Sequence, residues 1–371
     1  MNNIEILQPF SDAKTIATLA KVITQKALTL SEPLRIMEVC GGHTHTLMRY
    51  ALLDLLPPQI EFIHGPGCPV CIMPRSRIDA AGIIAQQKDV ILVTLGDMIR
   101  VPGTLGSLAD IRSAGANVKA VYSPLEALKI AQENPHSKVV FFAIGFETTT
   151  PMTAALLKRT QEYKIQNLLF FINHITVVEP LNAILDAPNH RINALLAPSH
   201  VSVITGEKIY YPLVEKFQIP IVIAGFEPVD MLESILRVVE QKQKNIAKVE
   251  NQYHRCVSVC GNIKAQQLIH QYFVKDDFEW RGLGIIADSS WTLREEFSHY
   301  DAQRYFAPIL QNIITKEHKS CICGEILRGM KKPFECKLFG NVCVPSNPIG
   351  SCMVSSEGAC SAYYRYALKR A

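Results

Sequence analysis

Short, continuously apolar runs recur along most of this chain, and they limit what it can fold into. Residues 35–39 (RIMEV), 61–65 (EFIHG), 90–96 (VILVTLG) and 118–123 (VKAVYS) form one set. Residues 139–145 (VVFFAIG), 168–174 (LLFFINH), 193–201 (NALLAPSHV) and 219–225 (IPIVIAG) form a second, with helix-length spacers between the runs. Strands that do not alternate apolar with polar residues need cover on both faces, and parallel sheets flanked by helices supply it. The rhythm therefore predicts an α/β fold with two Rossmann-like parallel-sheet domains, over 30–135 and 136–250. Two runs end alike, in GFETTTP (145–151) and GFEPVD (225–230), a strand-to-helix turn with Glu near the helix N-terminus. From about residue 229 the pattern turns helical, with one further strand-like run at 282–290. The last fifty residues hold six cysteines and little periodicity. A small cysteine-rich C-terminal domain is expected over 251–371, packed with an amphipathic N-terminal helix over 1–29, because so little apolar core needs a covalent or metal staple.

Composition matters for compartment and partners. The 38 basic and 34 acidic residues leave a net charge of +4 with the signs scattered, so no nucleic-acid footprint is present. The apolar runs are far shorter than the ~20 residues a membrane helix needs, and the first thirty residues lack a signal-peptide pattern. The expectation is a cytoplasmic protein with no membrane contact. In that compartment eleven cysteines, an odd number, point to metal or redox chemistry rather than structural disulfides.

The cysteines fall into three constellations. Cys321, Cys336, Cys343 and Cys360 are separated by 14, 6 and 16 residues, with Cys323 and Cys352 as spares. Soft thiolates from separated loops suit an iron–sulfur cluster, while zinc, which favours closely spaced knuckles, and a set of reduced core cysteines are the alternatives. Cys68 and Cys71 form a CxxC at a strand-to-helix junction, where a helix N-terminus together with Arg75 and Arg77 would stabilise a thiolate. Redox cycling competes there with half a metal site and with inert packing. Cys40, at a strand end before Gly41 and Gly42, is a nucleophile or a one-point metal anchor. His43 and His45 cannot face the same way on a helix, and His43 is taken to face the site. If the strands at 35–39 and 61–65 are neighbours, Cys40, Cys68 and Cys71 share one sheet edge.

Together CGGHTHT (40–46), GPGCPVC (65–71), GFETTTP (145–151) and the CX14CX6CX16C pattern at 321–360 closely resemble the HypD family of hydrogenase maturation factors, in order and over essentially the whole chain. The resemblance implies a scaffold for assembling the Fe(CN)2CO unit of NiFe hydrogenases in complex with the small chaperone HypC. The iron would be held between Cys40 and the N-terminal cysteine of HypC. It also implies transient docking of HypE, which with HypF delivers cyanide from carbamoyl phosphate, and contact with the hydrogenase large subunit only through HypC. It assigns a 4Fe–4S cluster to Cys321, Cys336, Cys343 and Cys360. The Cys68/Cys71 pair would exchange electrons with that cluster in a manner similar to ferredoxin–thioredoxin reductase. His43 would tune Cys40 or hydrogen-bond a cyanide nitrogen, with Glu147 and Thr149 on the opposite wall. GDMIRVPG (96–103) also ends a strand, which puts Asp97 and Arg100 at the same cleft, with helix capping as the alternative for Asp97. Such a protein is a redox-active scaffold rather than a conventional turnover enzyme. The alternatives are a stand-alone iron–sulfur disulfide reductase and a purely structural iron–sulfur or zinc protein.

Overall fold

In the computed structural model the described residues are 8–311, 313–315 and 318–367. The first seven residues of the expected N-terminal helix lie outside them, and so do the last three of AYYRYALKR (362–370), a run of helical pattern. Apolar runs become strands where expected: β1 (Leu34–Glu38), β2 (Ile60–His64), β3 (Val90–Leu95), β4 (Val118–Val121), β5 (Lys138–Gly145), β6 (Leu168–His174), β7 (Ala194–Pro198), β8 (Ile221–Ala224) and β9 (Val249–Asn251). They build two parallel sheets, ordered β2-β1-β7-β8-β9 and β4-β3-β5-β6. β5 and β6 are buried almost throughout, with Phe141, Phe142, Phe170 and Phe171 fully enclosed. That two-sided burial is why these runs carry no polar alternation.

Sheet membership does not follow the linear division at residues 135 and 136. The chain leaves the first sheet after β2, builds the whole second sheet, and returns so that β7 pairs with the free side of β1. Consecutive strands are neighbours only about two-thirds of the time. An apolar run also does not say which strand it will pair with. The N-terminal helix, Ala13–Ala27, likewise packs elsewhere than expected. Its Ile23 and Ala27 join the core of the first sheet, with Leu34, Ile36, Met231 and Ile235, and Lys26 pairs with Glu240 at 3.2 Å. Asp12 caps this helix, accepting from the Thr15 amide at 2.7 Å.

Next comes an antiparallel hairpin, β10 (Phe273–Trp280) and β11 (Gly284–Leu293). β11 coincides with the run at 282–290, whereas β10 (FVKDDFEW), with four charged residues among its eight, lies within a stretch read as helical. From Cys321 onward the chain is mostly turns, with short helices at Cys323–Leu327 and Ala359–Ala362.

The topology sets where a site can form. In each sheet the order reverses once, between β1 and β7 and between β3 and β5. Ligands bind beyond the carboxyl ends of strands at such reversals. Cys40 follows β1, and Glu147 follows β5.

Candidate functional site

Cys40 is the residue before the helix Gly41–Arg49, in extended conformation. Its thiol is partly exposed beside Gly42. Amides of Gly42 and His43 stabilise a thiolate there, but desolvation, followed by the charges of Glu357 and Glu38, outweighs them and holds the thiol well above its usual range. Cys40 is therefore a neutral thiol in the free protein, and a metal would have to displace its proton. Behind it Glu38, buried at the end of β1, accepts from the Cys40 amide at 3.1 Å, from the Thr44 hydroxyl, and from His64 Nδ1 at 2.6 Å. His64 Nε2 lies 3.0 Å from the Tyr363 hydroxyl, which ties this loop to the C-terminal segment.

The neighbouring histidines divide as the helical period demands. His43 is fully buried, stacked on Phe226 with ring centroids 4.8 Å apart, and its Nε2 donates to the Ala224 carbonyl at 3.1 Å. Burial lowers its pKa to about 4. His45, not His43, lines the cavity of about 340 Å3 next to Gly42, together with Arg49, Phe226 and Glu357.

Cys68 and Cys71 follow β2, which pairs in register with β1. The loops after these two strands touch so closely that a Cβ on Gly67 would lie 2.1 Å from the Val39 carbonyl oxygen and 2.5 Å from Cys40 Cα. Only glycine fits there. All three thiols thus share one sheet edge, but the pair is buried while Cys40 keeps its access to the surface. Ser351 Oγ donates to the Cys71 carbonyl at 2.5 Å and Arg75 donates to the Ile349 carbonyl at 3.3 Å, fastening this loop to residues 349–351.

That attachment extends the line of sulfur atoms. Cys71 lies near enough to Cys68 and Cys352, and Cys352 to Cys323, for each thiol to shift the ionisation of its neighbour. Cys323 acts in the same way on Cys321 and Cys360. The thiols of Cys323 and Cys71 lower the Cys352 pKa, making it the acidic member of the group. Burial raises Cys71, and the neighbouring Cys323 thiol is the leading cause for Cys321 and Cys360. A Cβ on Gly350 would lie 2.5 Å from Cys323 Sγ and 2.7 Å from Cys321 Sγ, so a glycine is needed where backbone crosses the thiols.

The candidate ligand quartet occupies the end of this line. Cys343 Sγ accepts from the Ile349 amide at 3.3 Å and feels the Cys321 and Cys323 charges. Cys336 Sγ lies 3.8 Å from the carbonyl of Ser320, the residue before Cys321. The donors fit an iron–sulfur cluster in kind: soft thiols, mostly enclosed, on loops with glycine at the close approach. Among the described residues no group of three or more His, Cys, Asp or Glu side chains is disposed as a ready metal cage.

Other expected residues sort as follows. Thr149 bonds back to the Phe146 and Ile144 carbonyls within its own turn. Arg100 donates to Asp97 at 2.8 Å and to the Val354 carbonyl at 3.1 Å. Glu147 is buried, as is Tyr210, whose hydroxyl lies 3.1 Å from Ser202 Oγ. Cys323 and Cys352, spares by spacing, stand where the two cysteine groups meet, and Glu38, His64, Tyr363 and Tyr210 have no motif to announce them.

Fold and site together define a parallel α/β protein whose strand-end thiols run into a cysteine-organised C-terminal layer. A family model described as HypD, hydrogenase formation hypA family, matches residues 14–367. The chain is 49% identical to the hydrogenase maturation factor HypD of Escherichia coli (strain K12), covering 91% of this chain and 90% of that protein. It is 47% identical to HypD of Azotobacter vinelandii (99% and 98%) and 42% identical to HypD of Cupriavidus necator (98% and 97%). The chain belongs to the HypD family of hydrogenase maturation factors. Among the described residues no helix is long and apolar enough to cross a membrane.

Proposed function

We propose that this chain is a cytoplasmic, redox-active scaffold on which the Fe(CN)2CO unit of NiFe hydrogenases is assembled as cargo. Cys40 is the protein's thiolate to that iron. The second thiolate comes from a small chaperone of the HypC type, entering at the cavity beside Gly42, with transient docking of HypE and contact with the hydrogenase large subunit only through the chaperone. The observation that supports this reading is the loop of Cys68 and Cys71, which meets the Cys40 loop at Gly67 on one side and on the other is fastened to residues 349–351, where Gly350 lies against Cys323 and Cys321.

Cys321, Cys336, Cys343 and Cys360 are the residues to hold a 4Fe–4S cluster, which when bound supplies electrons one at a time. The chain's own thiols pass the disulfide. Acidified Cys352 attacks Cys71 of an oxidised Cys68–Cys71 bond, forming Cys71–Cys352 and releasing Cys68, which takes a proton. Cys323 then attacks Cys352, giving Cys323–Cys352 and a free Cys71, so two electrons and two protons end on the CxxC. Cys40 stays outside this exchange.

The test is infrared spectroscopy of the anaerobic complex with the chaperone. Cys40→Ala should abolish cyanide and CO bands while leaving disulfide turnover at Cys68/Cys71 intact. Bands that survive the substitution would refute the anchor, and intact bands in Cys68→Ser would refute a need for the reduced pair. Zinc without iron or sulfide in the anaerobic protein would exclude the electron-transfer role.

A further inference from the structure

A second cavity, of about 340 Å3, opens between the helices Val178–Asp186, Ser199–Thr205 and Ile263–Tyr272 and the β10–β11 hairpin. Val178, Ile204, Ile209, Ile269 and Trp291 give it an apolar side, and Glu179, Thr205, Gln266, His270 and Lys275 a polar one. Glu147 also lines it and is only 6% exposed. One carboxyl oxygen accepts from the Val177 amide at 3.1 Å, and the other, Oε2, is buried without a hydrogen-bond partner. An unmet buried carboxyl oxygen is costly, and native proteins rarely leave one without a use.

The surrounding charges select what would satisfy it. Lys275 is committed to Glu179 at 2.8 Å and to the Asp288 carbonyl at 3.2 Å, and it sits over the Trp291 ring. Lys275 and Glu179 cancel, leaving Glu147 as the uncompensated carboxyl. The other titratable groups near it are His270, which lines the same cavity, and Tyr210. Burial raises Glu147 to about 7, so near neutral pH a partner that favours the charged form has a large effect.

We propose that this cavity is a binding site for a small organic cation, a protonated amine or amidine on an apolar body, with its N–H groups directed to Glu147 Oε2. The apolar body fills the space between the isoleucines, and the charge-assisted hydrogen bond fixes its orientation. This site is separate from the assignment of Cys40 and the thiol series, and it stands or falls independently of them.

The experiment is calorimetric titration of the full chain with three probes of one shape and different charge: benzamidine, benzamide and benzoate. Benzamidine should bind at least about tenfold more tightly than benzamide, with benzoate weakest, as expected for a hydrogen bond to a charged partner. Its affinity should rise as pH passes through about 7 and Glu147 ionises. Glu147→Gln should erase the preference for the cation. Ile209→Trp, at a half-buried rim position, should block benzamidine whether or not the first variant folds. No binding at millimolar benzamidine, equal binding of the amide, or a cation preference that survives Glu147→Gln would each overturn the proposal.

Discussion

The two cysteine groups of this protein are held in place by different means. Cys40, Cys68 and Cys71 hang from the ends of paired strands, and their spacing is set by register and by a glycine contact of backbone on backbone. The quartet from Cys321 to Cys360 hangs from turns and helices of four or five residues, with isolated bridges in place of a ladder. The first group is positioned by the fold. The second is mostly driven to hold its protons by burial and by the neighbouring Cys323, with no ladder to fix its loops. Under the proposed function, a site that receives and releases cargo is served by a rigid edge, whereas a resident group can itself organise the loops around it.

The largest expected effect tests the rigid side. Gly67→Val has no space against the Val39 carbonyl, and a loss of about 3 kcal/mol or more, or failure to fold, is expected in thermal melts. Near-normal melting would break the contrast. On the other side, Cys343→Ser in anaerobically prepared protein should raise amide exchange across 318–367 by about tenfold or more while leaving β1 and β2 protected. Uniform loosening would mean that both groups belong to one cooperative unit. Between them, Cys352→Ser should slow disulfide passage from Cys68/Cys71 on the order of a hundredfold, since a hydroxyl cannot exchange, with little change in melting. The smallest effect sharpens the electrostatics of the rigid edge. Glu357 raises the Cys40 pKa, so Glu357→Gln lowers it, enlarges the thiolate fraction at a given pH, and should speed Cys40 alkylation about threefold at pH 8. A slower reaction would put Glu357 in another role.

Much of this arrangement is readable in the chain. The apolar runs place β1 to β8 within three residues at either end, because two-sided burial leaves few polar positions to blur them. The adjacency of β1 and β2 follows from their succession, and with it the shared edge of Cys40, Cys68 and Cys71. The interleaving of the sheets is not readable, since β1 presents two equivalent sides and nothing local marks β7 as the second partner. His43 shows a similar limit. Helical period separates it from His45, but which of the two meets the cavity depends on Phe226, far along the chain. Cys323 and Cys352 read as spares because spacing counts residues along the chain, while their place in the thiol series is a contact across it.

By itself the order of residues determined the parallel α/β class, the strand-end location of Cys40 and the CxxC, and the family to which the chain belongs. Those follow from burial patterns and short-range turn chemistry, which act within a few residues. Tertiary structure alone decided that the sheets interleave and that Cys352 and Cys323 stand where the two cysteine groups meet. Each of these is a meeting of segments far apart in the chain, and only the packing of the whole core selects among the partners that local chemistry allows.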